Sequence, residues 1–261
     1  MKSLLIALSM YTKIPVPQVD WDEKSLRWAL CWFPAVGVII AAALRLWLWL
    51  WPRLGLTALG PAVAVLIPVA LSGAIHLDGL CDTCDALASR RSREEKLRIL
   101  KDSHTGAFAV ICCALYLLLF TAAWADTALT AASAAVLSLT PILSRCLSGL
   151  AAVSWRNARG SGLLATFTHP IEARKARAIL LAETIAAILA ITLLCLDSGA
   201  WELLSVPAAA LAVFAWYYRL AHRQFGGITG DTEGFFLQLC ECAMVAAAAV
   251  AQHLLELGIR S

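Results

Sequence analysis

The sequence predicts an all-α, polytopic integral membrane protein with about seven transmembrane helices and an active site that faces the cytoplasm. Three observations predict this. Its 261 residues are 61% hydrophobic and only 15% charged, with a mean hydropathy of +0.76. A soluble domain is nearer 45–50% apolar and about 25% charged, so the excess is more than one soluble core needs. Seven windows are long and apolar enough to cross a bilayer, which takes about 20 residues of helix. Finally, Lys and Arg fall on alternate sides of those windows.

Taken in chain order, "MKSLLIALSMYTKIPVP" opens the protein with a short apolar core that Pro15 and Pro17 interrupt. No small-residue cleavage site follows, so residues 1–32 read as an interfacial or re-entrant segment rather than a signal peptide. The seven windows are 33–51, 58–75, 106–124, 128–153, 178–196, 203–220 and 234–257. Pro141 lies inside the fourth and should kink it. Nothing resembles a linker, a soluble module or an internal repeat, and residues 1–261 read as one integral membrane catalytic domain.

Segments 1–32, 77–105, 154–177 and 219–233 carry 17 Lys and Arg, against 2 in the segments on the other side. Arg45 and Arg145 lie within spans. The positive-inside rule places the basic side, and with it the N-terminus, in the cytoplasm. The loops on the opposite side are too short to hold a site, so any chemistry faces the cytoplasm. The expected location is the bacterial inner membrane, with the lipid bilayer as surroundings. A net charge of +3 does not suggest nucleic-acid binding.

Nine cysteines are scattered, mostly in apolar runs, where Cys acts as a small hydrophobe. Cys81 and Cys84 form one CxxC, but no second pair stands at zinc-site spacing.

The second window ends in "HLDGLCDTCDA", with three aspartates in eight residues. On a helix that continues the span, or restarts after Gly79, Asp78, Asp82 and Asp85 stand at i, i+4 and i+7 and share a face. Neighbours there lie ~5–6 Å apart, and at an effective dielectric of ~20 each adjacent pair repels by roughly 3 kcal/mol. Solvated aspartates capping a helix and paired with Arg90, Arg91 or Arg93 are the plain alternative, but one acid would serve that purpose. A stripe of carboxylates suits Mg²⁺, which prefers oxygen ligands and commonly bridges to substrate phosphates.

"KDSHTGAF" leads into the third span. Asp102 is placed to complete a metal site, Lys101 to meet an anion at the helix N-terminus, and Ser103 or Thr105 to cap that helix. His104 is a candidate general base, although a lone His more often only makes hydrogen bonds. "NARGSGLLATF", with Arg159, and "FGGITGDTEG", with Gly226, Gly227, Gly230 and Asp231, are glycine-rich loops. Their N–H groups suit phosphates, or their glycines simply serve tight turns back into the membrane. Arg145 lies about two turns inside the fourth span. A charge there is costly and usually faces a polar cavity, so a phosphate or one of the aspartates is its expected partner.

Together "HLDGLCDTCDAL", "KDSHTGAFAV", "NARGSGLLATF" and "GGITGDTEG", in that order, resemble the motifs of the adenosylcobinamide-GDP ribazoletransferase (cobalamin 5′-phosphate synthase) family. "YTKIPVP" followed by "WFPAVGVIIA" resembles that family's opening segment, and the likeness runs from about Tyr11 to Glu241. The chain departs from the pattern at Cys81 and Cys84, where Ala is common, at Ala86, where Gly is common, and at Glu233, where an apolar residue is usual. No aspartate is lost.

The resemblance implies joining adenosylcobinamide-GDP to α-ribazole or its 5′-phosphate, with release of GMP, by Mg²⁺-dependent in-line phosphoryl-type transfer. It implies Asp78, Asp82 and Asp85, with Asp102, as holders of Mg²⁺, and Lys101 and Arg145 as phosphate contacts. His104 or a free aspartate then takes the hydroxyl proton. A homo-oligomer or other enzymes of the cobamide pathway are the partners it suggests. Two alternatives are a CDP-alcohol phosphotransferase and a cation or proton transporter. The first carries Asp-Gly-x2-Ala-Arg where this chain has Cys81-Asp82. The second binds near the midplane between repeats, whereas these acids gather at one face.

Overall fold

A computed structural model describes residues 1–168 and 172–260. Its described part is all-helical: α1 (Lys2–Tyr11), α2 (Glu23–Leu26), α3 (Phe33–Leu54), α4 (Leu59–Leu71), α5 (Ile75–Ala88), α6 (Arg93–Ile99), α7 (Ala107–Ala125), α8 (Ala131–Ser138), α9 (Thr140–Ser154), α10 (Leu163–Thr168), α11 (Ala173–Ser198), α12 (Ser205–Gln224) and α13 (Gly230–Arg260). Short 3₁₀ turns, Leu30–Trp32 and Trp201–Leu204, lead into α3 and α12. Six helical segments are long and apolar enough to cross a membrane, or seven if α4 and α5 are counted as one broken span. The chain is thus a multi-pass membrane protein of the predicted class. At 10 residues, α1 is too short to cross; it packs Ile6 and Ala7 inward against the bundle.

Burial separates the helices into centre and wall. The α8–α9 span is 83% buried, whereas α11 is only 22% buried and presents Leu181, Ile185, Leu189 and Leu193 outward. Helices α9 and α13 therefore form the core post, with α3, α5, α11 and α12 packed around them. Pro141 acts as expected. The fourth span breaks at Leu139, and Pro141 sits in the first turn of α9, where its missing N–H costs nothing.

The second span departs from expectation. Residues 58–75 read as one continuous helix, but α4 stops at Leu71 and α5 leaves at 94° to it. Several local features end α4. Pro68 removes a backbone donor, the Ser72 hydroxyl donates back to the Pro68 carbonyl at 2.7 Å, and Gly73 and Ala74 both take left-handed backbone (φ 62° and 63°). Such a conformation costs a non-glycine residue roughly 1–2 kcal/mol. The Ala74 N–H donates to Val69 O at 2.8 Å and the Lys13 N–H to Leu71 O at 2.8 Å, closing the turn. The new helix begins at Ile75, ahead of Gly79 rather than after it.

Candidate active site

Two close approaches position α5. A Cβ on Gly79 would lie 2.6 Å from the Asp231 carbonyl oxygen, and one on Gly234 would lie 2.9 Å from the His76 carbonyl oxygen. Only glycine lets α5 and α13 cross at that distance, as small residues do elsewhere between membrane helices. The crossing carries Asp78 and Asp82 to the N-terminus of α13, where Asp231 stands. Asp82 accordingly lies within electrostatic reach of Asp78, Asp231, Asp85 and Arg159.

The Asn157 and Gly226 loops close the site from one side. They are joined by a parallel bridge between Asn157 and Ile228, in which Ala158 N–H donates to Ile228 O (2.8 Å) and Ile228 N–H to Arg156 O (2.9 Å). The Asn157 Oδ1 accepts from the N–H groups of Arg159 and Gly160, which turns the loop. Arg159 then reaches Asp231 Oδ2 at 3.1 Å. The structure thus unites Asp78, Asp82, Arg159, Gly230 and Asp231 of the predicted site.

A cavity of about 160 Å³ opens beside this cluster, with Asp78, Arg159, Gly230 and Asp231 at one part of its wall. Tyr11, Phe33, His76, Ser148, Asn157, Ser161, Thr229 and Glu233 line the rest together with glycines and aliphatic residues. Glu233, the acid that departed from the family pattern, is buried; it accepts from the Ser148 hydroxyl and, at 3.1 Å, from the Tyr217 hydroxyl.

Other expected site residues lie elsewhere. Lys101, Asp102 and His104 line a separate open basin with Asp85, Arg91 and Arg98, which shares no residue with the cavity wall. His104 is exposed and holds Asp102 at 2.7 Å; its backbone N–H and ring keep the Asp102 carboxyl below the usual carboxylate range.

Four expectations need correction. Asp85 spends both oxygens on the start of α7, accepting from Gly106 N–H at 2.6 Å and Ala109 N–H at 2.8 Å. It therefore supplies the cap expected of Ser103 or Thr105, and as a third ligand it would have to share those oxygens between the cap and the metal. Arg145 is fully buried, and its carboxylate partner is not one of the motif aspartates. It pairs with Glu241 at 2.8 Å, donates to Pro141 O at 3.0 Å and is absent from the cavity wall. Gly226 packs on the Arg93 side chain, and a Cβ on Gly227 (φ 152°) would lie 2.2 Å from Arg156 O. Those two glycines serve the loop bridge.

The cysteines hold a further surprise. The second pair missing from the sequence spacing is supplied by α7, where Cys113 lies against Cys81 and Cys112 against Cys84. Among the described residues, however, no three His, Cys, Asp or Glu groups are disposed to hold a metal ion on their own. Replacing Cys81 and Cys84 together by Ala should leave turnover within about twofold, because methyl-sized groups preserve the α5–α7 packing. Turnover lost with an unchanged unfolding temperature would assign the thiols a role in the chemistry.

The sequence reading overlooked Tyr11, His76, Asn157, Thr229 and Glu233. His76 opens the aspartate motif and Glu233 breaks the family pattern, so both were visible signals. Tyr11 opens "YTKIPVP", but nothing in the sequence joins it to His76, some 65 residues on.

Comparison with known proteins bears on this arrangement. The family model for cobalamin-5-phosphate synthase (CobS) matches residues 3–249. A protein of Lachnoclostridium phytofermentans named adenosylcobinamide-GDP ribazoletransferase is 38% identical, over 99% of this chain and 97% of its own length. Proteins of the same name from Clostridium botulinum (strain Alaska E43) and Pseudomonas putida (strain W619) are 32% and 34% identical, over 92% and 94% of this chain and 94% and 98% of theirs. No solved structure matches the chain significantly. With nearly its whole length matched by the family model and by full-length relatives, the chain belongs to the cobalamin-5-phosphate synthase family.

Proposed function

We propose that this protein joins adenosylcobinamide-GDP to α-ribazole or its 5′-phosphate, as the names of its relatives state for them, and releases GMP. The observation that carries the reading is the α5–α13 crossing, where Asp78, Asp82 and Asp231 meet Arg159 beside a cavity. In the reaction a ribose hydroxyl oxygen of the nucleoside forms a bond to the phosphorus on the aminopropanol arm. The bond from that phosphorus to the GMP oxygen breaks in line, and the hydroxyl proton passes to a carboxylate of the cluster. Such transfers depend on positioning and charge neutralisation more than on covalent help from the protein.

Mg²⁺ is the proposed cofactor. Asp78, Asp82 and Asp231 present hard oxygens from two helices, but among the described residues no three such groups are disposed to hold an ion by themselves, so substrate oxygens and water would complete its shell. That suits an ion that keeps waters and shares its shell with substrate phosphates. Bound there, Mg²⁺ supplies neutralisation of the diphosphate charge. Arg159, aligned by Asp231, offers its guanidinium to a phosphate oxygen. Asp85 holds α7 in register with α5. Lys101 and His104, in the outer basin, are left to contact the parts of these large substrates that extend beyond the cavity.

The test is GMP release from adenosylcobinamide-GDP by purified protein across a Mg²⁺ titration, with α-ribazole and its 5′-phosphate as alternative acceptors. Release that needs both acceptor and Mg²⁺ supports the reading. No release with either acceptor removes it.

The proposed setting is the bacterial cytoplasmic membrane with the N-terminus inside, supported by the 17-to-2 bias of Lys and Arg. A reporter fused after Arg93 should read cytoplasmic and one fused after Ser198 external. Equal signals would mean that one of the three spans between those sites, α7, α8–α9 or α11, does not cross.

A further inference from the structure

The inner part of the cavity has a character the transfer chemistry does not require. Tyr11 and Phe33 lie with ring centroids 4.3 Å apart, and His76 stands 6.2 Å from Tyr11 and 5.9 Å from Phe33. Leu30, Leu164 and Leu237 complete an apolar slot. His76 is only 5% exposed, and its Nε2 has no hydrogen-bond partner. A buried polar nitrogen left in this state carries an unrecovered desolvation cost, which a ligand that accepts its hydrogen bond removes.

Resting on the function proposed above, we infer that this slot holds the flat base of the nucleoside acceptor, with His76 Nε2–H donating to the imine nitrogen of the benzimidazole. Size and polarity decide the occupant. The whole cavity, its acid-lined part included, is about 160 Å³, and an apolar cavity of about 150 Å³ takes a single aromatic ring compound, so the space admits one flat base and excludes a corrin. Guanine presents several donors and acceptors around its edge. The inner wall answers with His76 and with Glu233, whose oxygens already accept from Ser148 and Tyr217. A benzimidazole has one acceptor nitrogen and an otherwise apolar edge, which matches His76 Nε2 beside the rings of Tyr11 and Phe33; the cavity's other unpartnered buried nitrogens, Asn157 Nδ2 and Arg159 Nε, belong to the loop that meets Asp231. The base thus enters the bundle while its ribose faces Asp78 and Asp231.

The experiment measures binding as well as turnover, so the inference and the function it rests on can fail separately. Equilibrium binding of benzimidazole riboside alone to the purified full-length protein is compared with that of indole riboside, which lacks the imine nitrogen. Wild type should prefer the benzimidazole by about tenfold, the worth of one hydrogen bond. His76→Phe, which keeps a ring against Tyr11 and Phe33, should bind the two equally. It should also raise KM for the nucleoside about tenfold while leaving KM for adenosylcobinamide-GDP unchanged. Ala152→Leu, which narrows the slot without removing a polar group, should weaken both ribosides and is the second variant should His76→Phe fold poorly. Equal binding of the two ribosides by wild type, or a raised KM for the GDP-activated substrate instead, overturns the inference. Selective riboside binding without GMP release would uphold the slot and reject the transferase reading.

Discussion

Asp82→Asn is expected to lower GMP release at least about a hundredfold at saturating Mg²⁺ while leaving the metal-free protein as stable as wild type. Asn keeps the size and one acceptor oxygen but not the charge that holds a divalent ion, and even outer partners of a metal site are worth 10–100-fold. Stability should not fall, because Asp82 stands among Asp78, Asp231 and Asp85, and removing one charge relieves their repulsion. Asp85→Ala should behave in the opposite way. Its carboxylate caps α7 through two N–H groups, and loss of a cap costs about 0.5–2 kcal/mol. The measurements are GMP release across a Mg²⁺ titration and thermal unfolding in detergent without metal. Wild-type turnover and Mg²⁺ dependence in Asp82→Asn would make the aspartates no more than helix-end residues.

The largest effect on stability is expected from Glu241→Ala, at about 3–5 kcal/mol. The change leaves the Arg145 guanidinium buried in the bundle without its counter-charge, and removing one partner of a buried pair is far costlier than removing both. The double variant Arg145→Met with Glu241→Leu should therefore recover most of the loss. It should also retain GMP release, because Arg145 does not line the cavity. Unfolding temperatures of the two variants decide the first point. A double variant that is stable but inactive would return Arg145 to the list of substrate contacts.

What could be read from the sequence followed its periodicities and charges. Hydropathy marked the spans because lipid demands long apolar runs, and the spacing of Asp78, Asp82 and Asp85 placed them in one helix, α5. Contacts between distant residues could not be read in this way. Arg145 invites a guess at an anion, but its partner lies 96 residues on and is one of several acids that could have served. Asp85 looks identical to Asp82 in the motif; only the arrival of Gly106 separates a capping carboxylate from a free one. The turn at Ser72–Ala74 was hidden because "AVAVLIPVALSGAI" stays apolar across it. Hydropathy measures whether a residue tolerates lipid and carries no record of the backbone angles at Gly73 and Ala74.

That turn changes what the reaction demands of its substrates. At 1.5 Å per residue the 13 residues of α4 rise roughly 20 Å, against roughly 30 Å of hydrocarbon. The rest of the crossing is left to an acid-bearing helix bent by 94° from it, so the carboxylates form a polar floor at the end of an apolar span. On the proposed function, a diphosphate would settle on that floor from water while the base of the acceptor entered the bundle beside it. Two molecules of unlike solubility would then meet without either crossing the other's medium.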